Sequence, residues 1–406
     1  MSIAEQVEKE LKKISNSKEN LDLFLDSGLP TKKNELWKYT NLENFWKEFD
    51  LSQQKVVELS TPDKDAAFNH VFFVNGSFVD AYSDIKVISI AKCGDDLLSF
   101  KSELNELLNK ESMFQLVESQ RVNQYLLKLE GVQEKPILIH NFYTSEHANH
   151  SSSHLHILAT PNSETTVVET HICDNNAQSF VNNAASFIVQ ENAKLSFIKT
   201  QELGDQSVQV QNTRALVKRD AQFESFTIDA GAKLSRNNIS IRLDGEGATC
   251  AAHGIYVLGG TQQSDTNSFI HHNKPHTESS QLYKGIMNDK SHGIFTGLIR
   301  VEKDAQLINS DQLNKNLLLS KGAHAHSRPQ LEIYADDVKC AHGSTTGQMS
   351  DEEVFYFESR GVPKQRAQRL LAQAFAYDVT LKIKNKTARD FSKNILEKNF
   401  KNLEVE

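Results

Sequence analysis

The stretch FIVQENAKLSFIKT, residues 187–200, holds the pattern that decides the fold. Two runs rich in Phe, Ile and Val, Phe187–Val189 and Leu195–Thr200, are separated by a polar corner at Asn192-Ala193. Asn tolerates the left-handed backbone angles of a tight corner, and Ala is small enough to point inward there. Short runs of this composition are typical of β-strands, so the stretch predicts a strand, a corner and a second strand.

The same pattern recurs from about Ala67 to Cys340. Polar and turn residues interrupt the apolar runs roughly every dozen positions, which is typical of an extended region of β-structure. The other runs are His70–Val74, Pro136–Phe142, Leu155–Ala159, Thr165–Ile172, Phe223–Ile228, Asn238–Leu243 and Gly254–Leu258. The other corners with a turn residue before Ala are Asp220-Ala221, Gly231-Ala232, Gly247-Ala248, Asp304-Ala305 and Gly322-Ala323.

The intervals between these corners are irregular, as they are in a solenoid whose coils carry loops of different lengths. A sandwich or an up-and-down barrel would show more hairpin dipeptides, and the chain has one Asn-Gly, at Asn75-Gly76. The sequence therefore favours a mainly β fold built as a parallel β-helix.

Helical patterns precede this β region. An amphipathic stripe at helical spacing is formed by Ile3, Val7, Leu11 and Ile14. A second segment contains both tryptophans, Trp37 and Trp46, and we expect it to dock against a larger body.

Helical patterns also follow the β region. Ser350 and Glu353 predict a capping box, and Pro363 is expected at the first position of the next helix. The predicted organisation is therefore an N-terminal helical domain (residues 1–66), a β-helix core (67–346) and a C-terminal helical domain (347–406).

Composition and charge exclude several classes of protein. The chain has 406 residues and a net charge of −8 at pH 7, which argues against gripping nucleic acid through a basic face. No run approaches the ~18 apolar residues of a membrane span, and the amino terminus has no signal-peptide core. We therefore expect a cytoplasmic protein that binds neither nucleic acid nor membrane.

The cysteines give no local metal-binding motif. Cys93, Cys173, Cys250 and Cys340 are widely separated, and no C-x-x-C is present. A zinc knuckle or a self-contained iron–sulfur cage is therefore not predicted. We expect reduced thiols, most of them packed as small hydrophobic side chains.

Cys340-Ala341-His342 is the sharpest chemical signal in the sequence. Positions i and i+2 of a strand share one face, so the thiol and the imidazole are expected to point the same way. A neighbouring imidazole can lower the pKa of a thiol toward the thiolate, the form that binds metal. Iron–sulfur clusters are held by four ligands, so the rest must come from elsewhere or from another chain. A purely structural role for the pair stays open.

His324-Ala325-His326 has the same spacing and is a weaker candidate for a second half-site, an exposed polar edge being the alternative. No phosphate-binding loop, dinucleotide fingerprint or nucleophile elbow is present, so no catalytic machinery is expected. Two other hypotheses remain: a β-helix enzyme acting on polysaccharide, and a homodimeric structural β-helix protein. The first would line a groove with several carboxylates, and the sequence shows no such cluster.

Three segments resemble one known family. They are LPTKKNELWKYTNL (Leu29–Leu42), the run from His271 to Gln312, and residues 314–362, which contain LEIYADDVKCAHG. Together they are similar to the SufB/SufD family of iron–sulfur cluster assembly proteins, and the resemblance spans most of the chain. Without the extended cysteine-bearing amino-terminal region of SufB-type chains, the sequence is expected to be of the SufD type.

The resemblance implies a right-handed parallel β-helix between two helical domains, acting as a non-catalytic scaffold subunit. It implies pairing with a SufB-like chain through the β-helices, with a homodimer as an alternative when the chain is alone. A nascent, transient cluster would lie at that interface, where His342 would approach a cysteine of the SufB-like chain and Cys340 would complete half of the ligand set.

The resemblance also implies a SufC-like ABC ATPase docked on the C-terminal helices. The stripe expected to contact it contains Leu370, Leu371, Ala374 and Phe375. Reduced flavin bound to the assembled complex is a weaker implication, because the sequence shows no flavin motif. Many relatives carry small or polar residues at the positions of His324 and His326, so the role of these two histidines is left open.

Overall fold

The computed structural model describes residues 18–46, 62–90, 111–119, 123–144, 149–174 and 178–402. The predicted stripe from Ile3 to Ile14 and the thiol of Cys93 lie outside these residues.

The strands form two sheets, and from the fourth strand onward they alternate between them along the chain. Sheet A contains β3 (Ile88–Ser89), β4 (Gln124–Leu129), β6 (Asn149–Ala159), β8 (Ser179–Val189), β10 (Val208–Val217), β12 (Leu234–Leu243), β14 (Gln263–His272), β16 (His292–Val301) and β18 (His324–Ile333). Sheet B contains β1 (Asn69–Val74), β2 (Ser77–Phe78), β5 (Ile137–Tyr143), β7 (Glu164–Cys173), β9 (Lys194–Glu202), β11 (Gln222–Asp229), β13 (Thr249–Leu258), β15 (Glu278–Met287), β17 (Ile308–Leu318) and β19 (Val338–Gln348). Neighbouring long strands pair in parallel, so the predicted parallel β-solenoid is confirmed.

Among the described residues, helices precede the first strand and follow the last strand, and one helix lies between β3 and β4. They are α1 (Lys18–Ser27), α2 (Glu43–Trp46), α3 (Ser112–Ser119), α4 (Asp351–Glu358), α5 (Lys364–Thr380) and α6 (Lys386–Asn402), together with 3-10 turns at Glu35–Trp37 and Asp80–Tyr82. Helix α3 lies between β3 and β4 in the sequence. Within the described ranges no helix is both long and apolar enough to cross a membrane.

In six successive coils, one corner uses a residue with positive φ. These residues follow a strand of sheet A and precede the next strand of sheet B, and they are Asn162, Asn192, Asp220, Gly247, His276 and Leu307. Their positions are 30, 28, 27, 29 and 31 residues apart by subtraction, which is one coil of chain. Each coil also has a second corner, which follows a strand of sheet B and precedes a strand of sheet A; Ala232, with positive φ, lies at such a corner. The sequence pattern included corners of both kinds, and its intervals were therefore irregular.

The predicted turn at Asn75-Gly76 is a hairpin. Both residues have positive φ, 49° and 81°, and they join the antiparallel strands β1 and β2. A two-residue turn with positive φ at both positions matches the twist of the strands it connects. The hairpin sits at the amino-terminal end of sheet B.

Apolar side chains fill much of the space between the sheets. They come from the inward positions of successive strands and include Ile157, Phe187, Phe197, Phe223, Ile241 and Phe295. Burying one such side chain contributes roughly 1.5–3 kcal/mol. The stacked coils thus share one continuous core, as a solenoid requires.

The amino-terminal segment packs on the outer face of sheet A. Trp37 is buried beneath the guanidinium of Arg236, which lies 4.4 Å from the ring centroid. Arg236 also forms a buried ion pair with Asp265 at 2.6 Å, and Thr40 donates a hydrogen bond to that carboxylate. The expectation that this segment docks on a larger body is confirmed for the part around Trp37 and Thr40; the side chain of Trp46 lies outside the described residues.

The carboxyl-terminal helices pack on the outer face of sheet B. Ala372 and Ala376 of α5 and Leu396 and Phe400 of α6 contact apolar side chains of β11, β13 and β15. Lys284 of β15 reaches α5, where its Nζ donates to the backbone oxygen of Phe375 at 2.8 Å. Small residues on α5 allow the helix to approach the strands closely.

The helix caps agree closely with the sequence. Glu353 donates its backbone N–H to Oγ of Ser350 at 3.3 Å, so the predicted N-cap at Ser350 is confirmed for this half of the capping box. Pro363 is one position earlier than predicted, because it caps α5 with an extended backbone (ψ 143°) and the first helical residue is Lys364.

Candidate functional site

The carboxyl-terminal end of the solenoid is open. Strands β18 and β19 are the last members of sheets A and B, and each pairs with a neighbour on one side only. They are ten and eleven residues long, whereas the two-residue antiparallel strands β2 and β3 close the opposite end. Long unpaired edges expose backbone N–H and C=O groups that can pair with another chain. No residue of β18 or β19 is fully buried.

Cys340 and His342 point into this open end. In the register of sheet B, Cys340 lies beside Ser310 and His342 beside Gln312. Ser310 and Gln312 are buried inside the solenoid, so their neighbours on β19 face the same interior. Cys340 packs partly against the core, and His342 is exposed because no further coil covers it.

The pKa of the Cys340 thiol is higher than a neighbouring imidazole would suggest. Burial raises its pKa above the ordinary value of 9.0. A neighbouring imidazole can lower the pKa of a thiol, but in the chain alone the half-buried thiol loses hydration and its pKa moves the other way. A metal cation would reverse this balance, since a coordinating thiol is deprotonated.

This chain supplies only part of a ligand set at the open end. In the portion of the chain that the structure describes, no third His, Cys or carboxylate lies close enough to Cys340 and His342 to form a group of three ligands. A thiolate and an imidazole both bind iron, and a cluster is normally held by four protein ligands. The open end can therefore hold a cluster only together with ligands from elsewhere.

Buried polar side chains form the floor beneath the open end. Ser310, Gln312 and Asn314 of β17 are inward-facing and buried. Ser310 lies 2.6 Å from Ser279, which is hydrogen-bonded at 2.9 Å to Nε2 of His272. The sequence analysis missed this polar floor, although alternate polar residues in the run from Asn309 to Asn316 carried a signal of it.

His272 makes the fold sensitive to acid. Burial lowers its pKa from 6.5 to about 3, so the folded protein keeps the ring neutral while the unfolded chain binds a proton below pH ~6.5. Its contribution to stability is complete above that pH and is lost as the pH falls toward 3. Between pH 7 and pH 5 the loss should be about 2 kcal/mol.

Urea unfolding at pH 7 and pH 5 tests the contribution of His272 to the pH dependence of stability. His272→Gln should be less stable at pH 7, because it loses the bonds to Thr277 and Ser279, but its stability should fall less between the two pH values. The matched control is His276→Gln, since His276 is half-exposed. Equal losses in the wild type and His272→Gln would contradict the assignment.

His324 and His326 lie on a different face from Cys340. They project from the outer face of sheet A, because Ala325 between them packs against the interior. The ring of His326 stacks on Tyr39 with 4.5 Å between centroids and meets His292 edge-on at 4.8 Å. Hence this pair and the pair on β19 do not converge on one site.

The four apolar residues expected to contact a partner divide between two environments. Leu370 and Ala374 are exposed on α5, whereas Phe375 is half-buried against sheet B, below the Nζ of Lys284. Leu371 lines a pocket of about 340 Å³ between α4 and α5 with Tyr356 and Phe357. Phe355 is 69% exposed. We call Phe355, Tyr356, Leu370, Leu371 and Ala374 the α4–α5 surface.

Comparison with known families decides the relationship. The model of the family described as "SUF system FeS cluster assembly, SufBD core domain" matches residues 142–375. The chain belongs to the SufB/SufD family. The matched residues of this SufB/SufD chain include Cys340, His342 and all five residues of the α4–α5 surface.

Individual SufB/SufD relatives extend the similarity beyond the core domain. The iron–sulfur cluster assembly protein SufD of Escherichia coli is 33% identical over 384 residues, which cover 91% of this chain and 89% of the relative. An iron–sulfur cluster assembly SufBD family protein of Synechocystis is 28% identical, with 88% of this chain and 84% of the relative covered. A SufBD family protein of Mycobacterium leprae is 30% identical over 48% of this chain and 52% of its own length. The predicted resemblance to the SufD type is confirmed.

Proposed function

We propose that this chain is a scaffold subunit on which an iron–sulfur cluster, its cargo, is assembled at the open end of the solenoid. The observation that carries the proposal is the placement of Cys340 and His342 at an uncapped end with no third ligand nearby among the described residues. Family membership supplies the chemistry, because the matching family is one of cluster assembly.

The partner that completes the ligand set is a SufB-like chain. Strands β18 and β19 present long unpaired edges, and an added strand would satisfy their free backbone groups. Ile333 and Tyr334, at the end of β18, are 37% and 55% exposed, which adds apolar surface at the same end. A second copy of this chain could use the same edges, so a homodimer is the competing occupant.

The α4–α5 surface is the docking site that we assign to a SufC-like ABC ATPase. Its apolar centre is bordered by the acidic residues Asp351, Glu352 and Glu353 at the start of α4. A complementary partner therefore has an apolar pocket with basic residues around it. Force from the ATPase would reach the solenoid through α5, whose small residues pack on sheet B.

Reduced flavin stays a prediction for the assembled complex. The resemblance to the family is its support, and no contact in this chain is assigned to it.

The proposal predicts a specific defect for His342→Ala. When the chain is purified with SufB-like and SufC-like partners and supplied with iron and sulfide, the variant complex should assemble with normal subunit ratios. Its yield of cluster, measured by visible absorption and by bound iron and sulfide, should fall several-fold. Cys340→Ala should show the same pattern.

His324→Ala is the matched control, because that imidazole projects from the other sheet. It should leave the cluster yield unchanged. An unchanged yield in both His342→Ala and Cys340→Ala would remove these residues from the proposed site. Loss of subunit association instead would indicate a structural role.

A further inference from the structure

A separate group of metal-binding side chains lies where α3 packs on sheet A, at the other end of the solenoid from Cys340. We propose that Glu118, His154 and His156 bind one divalent transition-metal ion, of the Zn²⁺ or Fe²⁺ class, and that this ion fastens α3 to the solenoid. The carboxylate comes from the helix and both imidazoles come from β6, so the ion would join two elements.

The ligand atoms are already close together. One ligand atom from each of the three residues lies within 4.8 Å of the others. Glu118 Oε1 and His154 Nδ1 are 2.5 Å apart, and the rings of His154 and His156 have centroids 3.8 Å apart. Ligands about 2.0–2.2 Å from a metal are separated by up to ~4.4 Å, so small side-chain movements suffice.

The alternation of β6 explains why two imidazoles meet on one face. Leu155 and Ile157 point into the core, so His154 and His156 point outward, beneath α3. Helix α3 covers them with Phe114, whose ring meets that of His154 edge-on at 5.6 Å. Two imidazoles and one carboxylate form the ligand set of many zinc and non-haem iron sites, with positions left for water or a small ligand.

Outer contacts orient the ligands as they do in metal sites. Nε2 of His154 lies 2.7 Å from Oγ of Ser186, so Nε2 can carry the proton when a metal ion replaces the hydrogen bond between Nδ1 and Glu118. Gln124 donates its side-chain N–H to Oε1 of Glu118 at 3.3 Å. Such contacts fix the ring and the carboxylate before the ion arrives.

Burial and charge also favour a cation here. The side chain of His154 is 2% exposed and that of Glu118 is 16% exposed, so an ion would enter from the Glu118 side. Neutral imidazole is the form that binds a metal ion. The buried guanidinium of Arg214 interacts with Glu111 as well as with Glu118, so its charge is shared between two carboxyl groups.

Cobalt binding to the metal-free, full-length chain tests the proposal. The wild type should bind one Co²⁺ tightly, with d–d absorption bands and no thiolate-to-cobalt charge transfer. Glu118→Gln and His156→Gln should each weaken binding at least tenfold. Ser186→Ala should weaken it roughly 10–100-fold, as loss of an outer contact does.

His276→Gln is the control for a general loss of histidine, and Cys340→Ala is the control for the open end; both should bind Co²⁺ as the wild type does. If a ligand variant does not fold, X-ray absorption of the zinc-loaded wild type still gives the answer. Two imidazoles and oxygen donors without sulfur are expected. Sulfur ligation, or equal Co²⁺ binding by the wild type and Glu118→Gln, would overturn the proposal without affecting the proposed cluster site.

Discussion

Replacing Lys199 with Met is expected to lower the free energy of unfolding by about 3–5 kcal/mol. Lys199 and Asp229 are an ion pair inside the solenoid, with each side chain 2% exposed and 3.0 Å between Nζ and Oδ1. Asn237 bridges them, since its oxygen accepts from Lys199 at 2.7 Å and its N–H₂ donates to Asp229 at 2.6 Å. The substitution leaves a buried carboxylate without its cation.

Urea unfolding of Lys199→Met beside Lys194→Met measures this effect. Lys194 lies on the surface of the same strand, and its pair with Glu164 is 53% and 56% exposed, so its loss should change stability by less than about 1 kcal/mol. A double variant, Lys199→Met with Asp229→Leu, should recover part of the loss because no charge stays buried. Equal destabilisation by the two single substitutions would show that the buried pair has no special role.

Replacing Leu370 with Asp is expected to weaken binding of the SufC-like ATPase by roughly 30-fold or more, which corresponds to the ≥2 kcal/mol of an interface hot spot. Leu370 is 39% exposed and belongs to the α4–α5 surface, so a charge there would be desolvated on docking. Titration calorimetry with the purified ATPase measures the change.

Val132→Asp is the matched control for this experiment. Val132 is 68% exposed and lies outside the α4–α5 surface, so the substitution should leave the ATPase affinity unchanged. The melting temperatures of both variants should match that of the wild type, because neither side chain is buried. An unchanged affinity in Leu370→Asp would place the ATPase elsewhere.

Local pattern was enough to predict the type of fold. The strand runs and the corner residues are local signals, since β-strand periodicity and tolerance of positive φ belong to individual residues. The number of residues in one coil could not be determined from the sequence, because each coil has two corners and the pattern did not distinguish them. Only the pairing of distant strands separates the series that contains Asn192 and Asp220 from the series that contains Ala232.

The candidate site was predictable in position but not in its chemistry. The i, i+2 spacing placed Cys340 and His342 on one face of a strand, as the register shows. The raised pKa of the thiol depends on burial against residues of other coils, which spacing does not report. The separation of His324 and His326 from this site likewise depends on which sheet β18 joins.

The group formed by Glu118, His154 and His156 could not be predicted from residue spacing either. His154-Leu155-His156 has the spacing that drew attention to His324-Ala325-His326, yet Glu118 comes from a helix 36 residues earlier. No local pattern joins a helix to the strand on which it packs. Tertiary contact is therefore what separates a candidate metal site from an ordinary pair of strand histidines.

In the proposed function, the open end carries half of a ligand set and a second chain supplies the rest. Anaerobic reconstitution with iron and sulfide, carried out on the isolated chain and on the chain with a SufB-like partner, tests it most directly. Mössbauer spectra should show a cluster only in the assembled sample, and the amount of that cluster should fall several-fold when His342 is replaced by Ala. A stable cluster on the isolated chain would contradict the account.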